Sequence, residues 1–144
     1  MIESRRVRSG LQAAVLICAL GSGAAPSAQD EEEAGRPSLS LRATPLVGFT
    51  PLRVRLAAEL RDGDDDYREF YCPTIEWDWG DGTLSESSED CDPYVEGVTE
   101  IRRRYSTEHI FRAPGTFRIT FRLKQQDRII AITTTTIRVQ GGFR

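Results

Sequence analysis

The stretch IEWDWGDGT, residues 75 to 83, concentrates the side chains that could do chemistry: two tryptophans and three carboxylates around a Gly-Asp-Gly turn. Carboxylates can act as a general acid and base, but nothing in the spacing of the acidic residues singles out a pair. The chain has one histidine, His109, so no second imidazole exists to complete a histidine-based metal site or relay. We interpret His109 as a structural hydrogen-bonding residue and predict that the protein is not an enzyme. A hydrolase that uses loop carboxylates is the less favoured alternative.

A second acidic group, DGDDD, alternates Asp62, Asp64 and Asp66 in a loop. Hard cations such as calcium bind clustered carboxylate oxygens. The spacing does not fit an EF-hand loop, because Tyr67 stands at the glycine position and Pro73 at position twelve. The favoured interpretation is a solvated acidic turn, and no cofactor is expected. Asp62, Asp64 and Asp66 remain candidates for a calcium site.

The cysteines predict one disulfide. Cys18 falls in a leader segment described below, which leaves Cys72 and Cys91. They lie nine residues before and ten residues after Asp81, so a hairpin folded about that turn places them nearly opposite each other. An even cysteine count in an exported protein favours a bridge. Free thiols or a metal pair are disfavoured, because no further Cys or His completes a site.

Charge bears on the class of partner. Residues 1 to 28 carry three Arg and one Glu, so the remaining chain has 16 basic and 21 acidic side chains and a net charge of −5. A net acidic domain is a poor candidate for binding nucleic acid. Arg102, Arg103 and Arg104 form a basic run that could bind an anionic glycan or protein. A strand edge guarded by charge explains the same run.

The N-terminal segment indicates export. Three arginines within the first eight residues precede LQAAVLICALGSGAA, which carries no charge. This is the form of a secretory signal peptide, which we assign to residues 1 to 28 with cleavage between Ala24 and Gln29. The apolar run is too short and glycine-broken to span a bilayer, so the mature chain should have no transmembrane segment. Residues 29 to 37, QDEEEAGRP, are predicted to be an acidic linker. The expected location is periplasmic or secreted.

The strands that must position these residues are recognised by the alternation of apolar and polar side chains at every second residue. LRVRLAAEL aligns five apolar residues on one face with arginines opposite, and FRITFRL repeats the pattern. LSLRA and IIAITTTTIRV are further strands, with EIRRRY and EHIF as shorter candidates. About seven strands over residues 38 to 141 predict an all-β, immunoglobulin-like antiparallel sandwich. In such a strand Ile75, Trp77 and Trp79 face the core, although an exposed tryptophan pair would instead suit a platform for sugars.

The sequence at this point resembles the PKD (polycystic kidney disease) domain. WDWGDGT, followed downstream by HIFRAPGTFRITFRL, is similar to the family pattern of a W-D-F-G-D-G-T strand and turn, then H-x-Y and P-G-x-Y. Two segments depart from the pattern: the acidic loop RDGDDDYREFYC and an insert of residues 85 to 106. The residues that carry the resemblance are Trp77, Trp79, Gly80, Asp81, Gly82, His109, Phe111, Pro114, Gly115 and Phe117.

The resemblance implies a β-sandwich module of extracellular proteins that is not itself catalytic. Such modules act as spacers or mediate protein or carbohydrate contacts. We therefore expect a non-catalytic binding or structural module whose partner is an envelope or extracellular protein or glycan. A calcium-dependent adhesion module is the alternative in the same class. The sequence indicates neither the individual partner nor the oligomeric state.

Overall fold

The computed structural model describes residues 35–142, which form eight strands in two sheets. The predicted signal segment and residues 29 to 34 of the predicted linker lie outside the described residues. The strands are β1 (Ser38–Thr44), β2 (Val47–Phe49), β3 (Leu52–Arg61), β4 (Thr74–Asp78), β5 (Leu84–Ser87), β6 (Arg104–Phe111), β7 (Gly115–Gln125) and β8 (Arg128–Gln140). A single turn of 3-10 helix, Arg68–Phe70, lies between β3 and β4. Within residues 35–142, no helix has the length and apolar character needed to cross a membrane.

The sheets confirm the predicted all-β sandwich. One sheet has the order β1-β3-β6 and the other β2-β8-β7-β4-β5. Neighbouring strands are antiparallel except β2, which pairs in parallel with β8 through three residues. The predicted antiparallel sandwich of about seven strands is confirmed, and the short parallel strand β2 is an addition that the sequence did not predict. The chain leaves β1, crosses to the opposite sheet at β2 and returns to the first sheet in β3.

The core lies where the predicted apolar faces of the two sheets meet. All five inward residues of β3 are buried and the arginines between them are exposed, as a half-buried strand requires. From β7, Ile119, Phe121 and Leu123 are buried against them. β1 contributes buried Ala43, with Leu39 and Leu41 packed at the margin of the core. One continuous apolar cluster therefore joins both sheets.

The structure departs from the strand predictions in the middle of the chain. Of EIRRRY, only Arg104 and Tyr105 belong to a strand. Before them, the Ile101 amide donates to the Asp65 carbonyl in the acidic loop, and the Arg103 carbonyl accepts a bond from the Leu60 amide at the end of β3. EHIF is the second half of β6. Gly35, Arg36 and Pro37, assigned to the linker from sequence, contact the sandwich: Gly35 accepts a bond from the Asp64 amide, and Pro37 is buried.

Candidate functional site

The stretch of residues 75 to 83 forms most of β4 and the turn after it, and its two tryptophans lie in the core. Trp77 and Trp79 are 7% and 3% exposed, and their rings are stacked with centroids 5.8 Å apart. Trp77 also packs on Phe121 of β7 at 4.3 Å. The Trp79 indole N–H donates to the Ser85 hydroxyl at 3.0 Å. The predicted core role of both tryptophans is confirmed, and a tryptophan platform for sugars is excluded because the rings are covered.

The turn after β4 requires glycine. Gly80 has a φ of +72°, and a Cβ there would overlap the carbonyl oxygen of Arg118 in β7. Gly82 has a φ of +88° but open space around it. The first glycine is therefore required both by its backbone conformation and by close approach to β7, and the second only by its conformation.

Asp81 and His109 form a pair at this turn. Asp81 Oδ2 lies 2.8 Å from His109 Nε2, while Oδ1 accepts bonds from the Thr83 amide at 3.0 Å and the Thr83 hydroxyl at 2.5 Å. Burial opposes ionisation of Asp81, but the bonds from Thr83 and His109 together outweigh it and hold the pKa of the carboxyl below its ordinary value. The carboxylate is therefore charged at neutral pH.

The His109 ring is also fixed by aromatic contacts. It stacks on Trp79 at 4.3 Å and meets the edge of Phe111 at 4.8 Å. Phe111 packs in turn on Phe117, and a Cβ on Gly115 would press on the Phe117 ring at 3.1 Å. Carboxylate and imidazole are two members of a nucleophilic triad, but within residues 35–142 no hydroxyl or thiol bonds the second ring nitrogen of His109. The signature residues form one aromatic stack that joins β4, β6 and β7.

The predicted disulfide is present. Cys72 and Cys91 are bonded, with Cα atoms 6.2 Å apart and 19 residues of sequence separation. Cys72 precedes β4 and Cys91 follows β5, so the bridge closes the open end of their hairpin. It thereby joins the acidic loop to the insert, which are the two segments that depart from the PKD pattern.

The acidic loop is held by an arginine. Arg103 donates to the carbonyl oxygens of Asp62 at 2.8 Å and Gly63 at 2.9 Å, and pairs with the Asp65 carboxylate at 2.5 Å. A third carbonyl, that of Leu60, lies 3.3 Å from the same guanidinium. We call these bonds of Arg103 the clamp. It was not predicted from the sequence, because the residues that it joins are about 40 positions apart.

The calcium candidates Asp62, Asp64 and Asp66 are exposed around this clamp. Across the described chain, 35–142, no three His, Cys, Asp or Glu side chains are grouped so as to hold a metal ion. Asp62 and Asp66 use backbone carbonyls, which accept bonds from Arg103 and from the Tyr94 hydroxyl. The calcium site stays a prediction for which the structure supplies no preformed ligand set.

The three consecutive arginines do not form a continuous strip. Arg102 pairs with Glu89 at 2.5 Å and lies over the Tyr105 ring, whereas Arg104 is 85% exposed and lies 3.3 Å from Glu59. Arg103 is turned into the acidic loop, as described above. Each guanidinium therefore has its own acidic partner. A role for Arg102, Arg103 and Arg104 in partner binding stays a prediction.

An open basin lies at the end of the sandwich where the acidic loop meets the insert and the β7–β8 turn. Its walls include three tyrosines and side chains of both charges, namely Arg36, Asp66, Tyr67, Arg68, Glu69, Tyr71, Tyr94, Gln125, Gln126, Asp127 and Arg128. We call this surface the tyrosine basin. The tyrosine basin was not predicted, although tyrosine recurs in DYREFYC and DPY, the two segments that the disulfide joins.

The tyrosines of the basin are held by hydrogen bonds. The Tyr71 hydroxyl donates to the Asp92 carbonyl at 2.7 Å, and the Tyr94 hydroxyl donates to the Asp66 carbonyl at 2.6 Å. The two rings are tilted at 58° with centroids 5.5 Å apart, and the Arg68 guanidinium lies over Tyr94. These bonds run between the acidic loop and the insert in both directions, so the surface is built in advance of any ligand.

A charged cluster lies on the outer face of the five-stranded sheet. Glu76 lies on the face of β4 opposite Trp77, yet it is only 9% exposed, because Arg122 and Lys124 of β7 bond its two oxygens at 2.6 and 2.7 Å. Lys124 also pairs with Glu86 of β5 at 2.5 Å. The bond from Lys124, aided by that from Arg122, outweighs burial and holds the pKa of Glu76 below its ordinary value. The cluster is fully paired and ties three strands together.

The chain is similar to a PKD domain. That solved structure is the PKD domain of an M14-like peptidase from a Thermoplasmatales archaeon, at 14% sequence identity and a TM-score of 0.49, covering 72% of this chain and 95% of that one. No family model and no curated protein matched the chain. The β-sandwich assignment of this PKD-like chain is established by its own two sheets.

Proposed function

We propose that this protein is an exported, non-catalytic PKD-like module that binds a protein or a carbohydrate at the cell envelope. The observation that carries the proposal is the tyrosine basin. It is built by the acidic loop and the insert, the segments in which the chain departs from the family pattern, and the disulfide joins them. Elaborated loops on a rigid scaffold are where binding residues concentrate.

The chemistry of the basin suits recognition. Aromatic rings offer contact area at low conformational cost, and nearby amide and charged groups give directional bonds. Because the Tyr71 and Tyr94 hydroxyls are already bonded, little side-chain freedom is lost when a ligand arrives. Arg68, Gln126 and Asp127 are exposed at its rim and offer polar contacts.

Two further features support the non-catalytic and exported parts of the proposal. The Asp81–His109 pair lacks a bonded nucleophile in the described part of the chain, and the His109 ring is stacked on Trp79. The Cys72–Cys91 bridge suits an oxidising compartment, in agreement with the leader expected from residues 1 to 28.

A matched pair of variants tests binding. Oxidised protein is immobilised and exposed to envelope extract and to a glycan array, beside Arg68→Ala and Arg112→Ala. Arg68 lies in the basin, and Arg112 is an exposed arginine in the β6–β7 turn at the opposite end of the sandwich. We expect a retained protein or glycan that Arg68→Ala loses and Arg112→Ala keeps. Equal retention by both variants would place binding elsewhere and reject the basin.

The same preparation separates the rival functions. Adding calcium or a chelator should leave retention unchanged, whereas strict dependence on calcium would favour the adhesion alternative. A screen of ester, peptide and glycoside substrates should show no turnover. Turnover that Asp81→Asn abolishes would overturn the non-catalytic assignment.

A further inference from the structure

A narrow groove opens along one side of the sandwich, away from the tyrosine basin. It lies where β5, the last strand of the five-stranded sheet, faces β6, the last strand of the other sheet. Its volume is about 340 Å³, which is within the range of small binding sites. Trp77 and Tyr105, both largely buried, lie along it, and Ser85 and Ser106 contribute hydroxyls.

Tyr105, one of the residues that line the groove, has an unpaired hydroxyl. Tyr105 is 2% exposed, and its hydroxyl is the one buried side-chain polar atom of residues 35–142 that has no hydrogen-bond partner. Burial raises the pKa of Tyr105 to about 12, so the hydroxyl keeps its proton and remains able to donate. Folded proteins pair nearly all such groups, so this exception calls for an explanation. A partner from outside the fold would supply the missing bond.

Charge at the mouth of the groove limits what can bind there. Arg102 lies over the Tyr105 ring at 4.8 Å and pairs with Glu89, while Glu86 pairs with Lys124. The charged groups that line the groove are thus neutralised by partners of the protein itself. A complementary ligand is therefore uncharged where it enters the groove.

The backbone of β5 offers hydrogen bonds to such a ligand. The Trp79 amide bonds the Thr83 carbonyl, and Trp77 stands opposite Ser85. Bonded and non-bonded pairs alternate along an antiparallel ladder, so Ser85 and Ser87 bond toward β4, and Leu84 and Glu86 turn their N–H and C=O groups outward. In the described chain no strand pairs with this edge or with the outer edge of β6.

We propose that the groove binds an extended, uncharged peptide segment of a partner protein, which adds as a strand to the β5 edge and bonds the Tyr105 hydroxyl. Strand addition uses main-chain bonds for affinity and side-chain pockets for specificity. The proposal does not depend on the tyrosine basin, because no residue of the basin lines the groove.

The probe is a displayed library of random twelve-residue linear peptides, selected on the oxidised full chain. Recovered peptides are synthesised, and their dissociation constants are measured by calorimetry. Tyr105→Phe removes the unpartnered hydroxyl without changing the ring, so the variant should melt at the same temperature as the parent or higher. The same variant should bind the peptide about five- to tenfold more weakly, as expected for one lost hydrogen bond.

A second pair of variants tests the edge. Glu86→Pro removes the outward N–H of β5, and Glu86→Ala removes the same side chain but keeps the N–H. Binding should fail in the first and persist in the second, while Arg68→Ala in the basin should bind the peptide normally. If Glu86→Pro does not fold, Tyr105→Phe decides alone. The proposal is overturned if no peptide is recovered, if peptides bind Tyr105→Phe as tightly as the parent, or if Tyr105→Phe melts at a lower temperature, since the hydroxyl would then already be bonded in the free protein.

Discussion

Trp77 joins β4 to β7 in the core. Its ring packs between Phe121 and Trp79 and is almost fully covered. Replacing it by Ala leaves a cavity that the paired strands cannot close, and we expect a loss of about 3 to 5 kcal/mol in the free energy of unfolding. Trp79 would then be the sole tryptophan and would report unfolding in urea by its fluorescence.

The control for Trp77 is Leu84 in β5. Its side chain is 57% exposed on the outer face, so Leu84→Ala should change stability by no more than about 0.5 kcal/mol. A Trp77→Ala protein with a near-parental urea midpoint would contradict the core role.

Asp81 gives the second prediction at this scale. Its pKa in the folded protein lies below the ordinary value of 3.8, because the bonds from Thr83 and His109 outweigh burial. Its ionisation therefore stabilises the fold fully above the unfolded pKa, and this contribution is lost as the pH falls through the folded pKa. The stability advantage of the parent over Asp81→Asn should be about 1 to 3 kcal/mol at pH 7 and should shrink below about pH 4.

Urea midpoints at a series of pH values measure that difference. Glu76 also has a lowered pKa, so both proteins lose stability in acid and only their difference is informative. Glu100→Gln, at an exposed loop position, serves as the control and should follow the parent throughout. An advantage over Asp81→Asn that stays constant down to pH 2.5 would contradict the assignment.

Among the elements, the acidic loop depends on the clamp from Arg103. Arg103→Ala removes bonds to three carbonyls and the ion pair with Asp65, so we expect a loss of about 1 to 3 kcal/mol. The amides of Asp64 and Ile101, which bond the Gly35 and Asp65 carbonyls, should exchange hydrogen faster. Two-dimensional NMR exchange measurements follow both amides directly.

Arg104→Ala is the matched control for that clamp. The neighbouring arginine is 85% exposed, and its bond to Glu59 is of the solvated kind that contributes little. Exchange at Asp64 and Ile101 should not change in this variant. Equal acceleration in the two variants would show that Arg103 does not hold the loop.

The strands differ in how well the sequence predicts them, and the reason is burial. β3 and β7, with 10 and 11 residues, pack one face on the core, and this leaves a period of two in the sequence. β8, with 13 residues, is recognised instead by its many β-branched residues. β2 and β5 have three and four residues, and β5 is exposed along its whole length. A strand without a buried face has no alternation to detect, so both were missed.

The candidate sites also differ in how well the sequence predicts them. The Cys72–Cys91 bridge follows from a count and from the symmetry of the residues about Asp81. The clamp of Arg103 and the bonds of Tyr71 and Tyr94 join loops across 21 to 41 residues, and no local pattern encodes such contacts. The unpaired Tyr105 hydroxyl is visible only once the packing around it is known.

For the whole molecule, the disulfide acts mainly on the unfolded chain. It closes a loop of 19 residues in sequence separation, so the chain-entropy model assigns it about 3 kcal/mol. The oxidised mature protein, without the leader that carries Cys18, should show no titratable thiol in denaturant. The Cys72→Ala, Cys91→Ala double variant should lose about that free energy. A titratable thiol at either position in the oxidised protein would contradict the pairing.

Lys124 has a consequence for how this molecule can be handled. It is the single lysine of the chain, and Glu76 and Glu86 both bind its ammonium group. The bond from Glu76, followed by that from Glu86, raises the pKa of Lys124, which lowers the fraction of neutral amine available to react. Amine-directed reagents should therefore modify the α-amino group first. Coupled to a sensor surface by that chemistry, the protein would attach by one end and in one orientation. Every copy would then present the tyrosine basin and the groove to the solution in the same way.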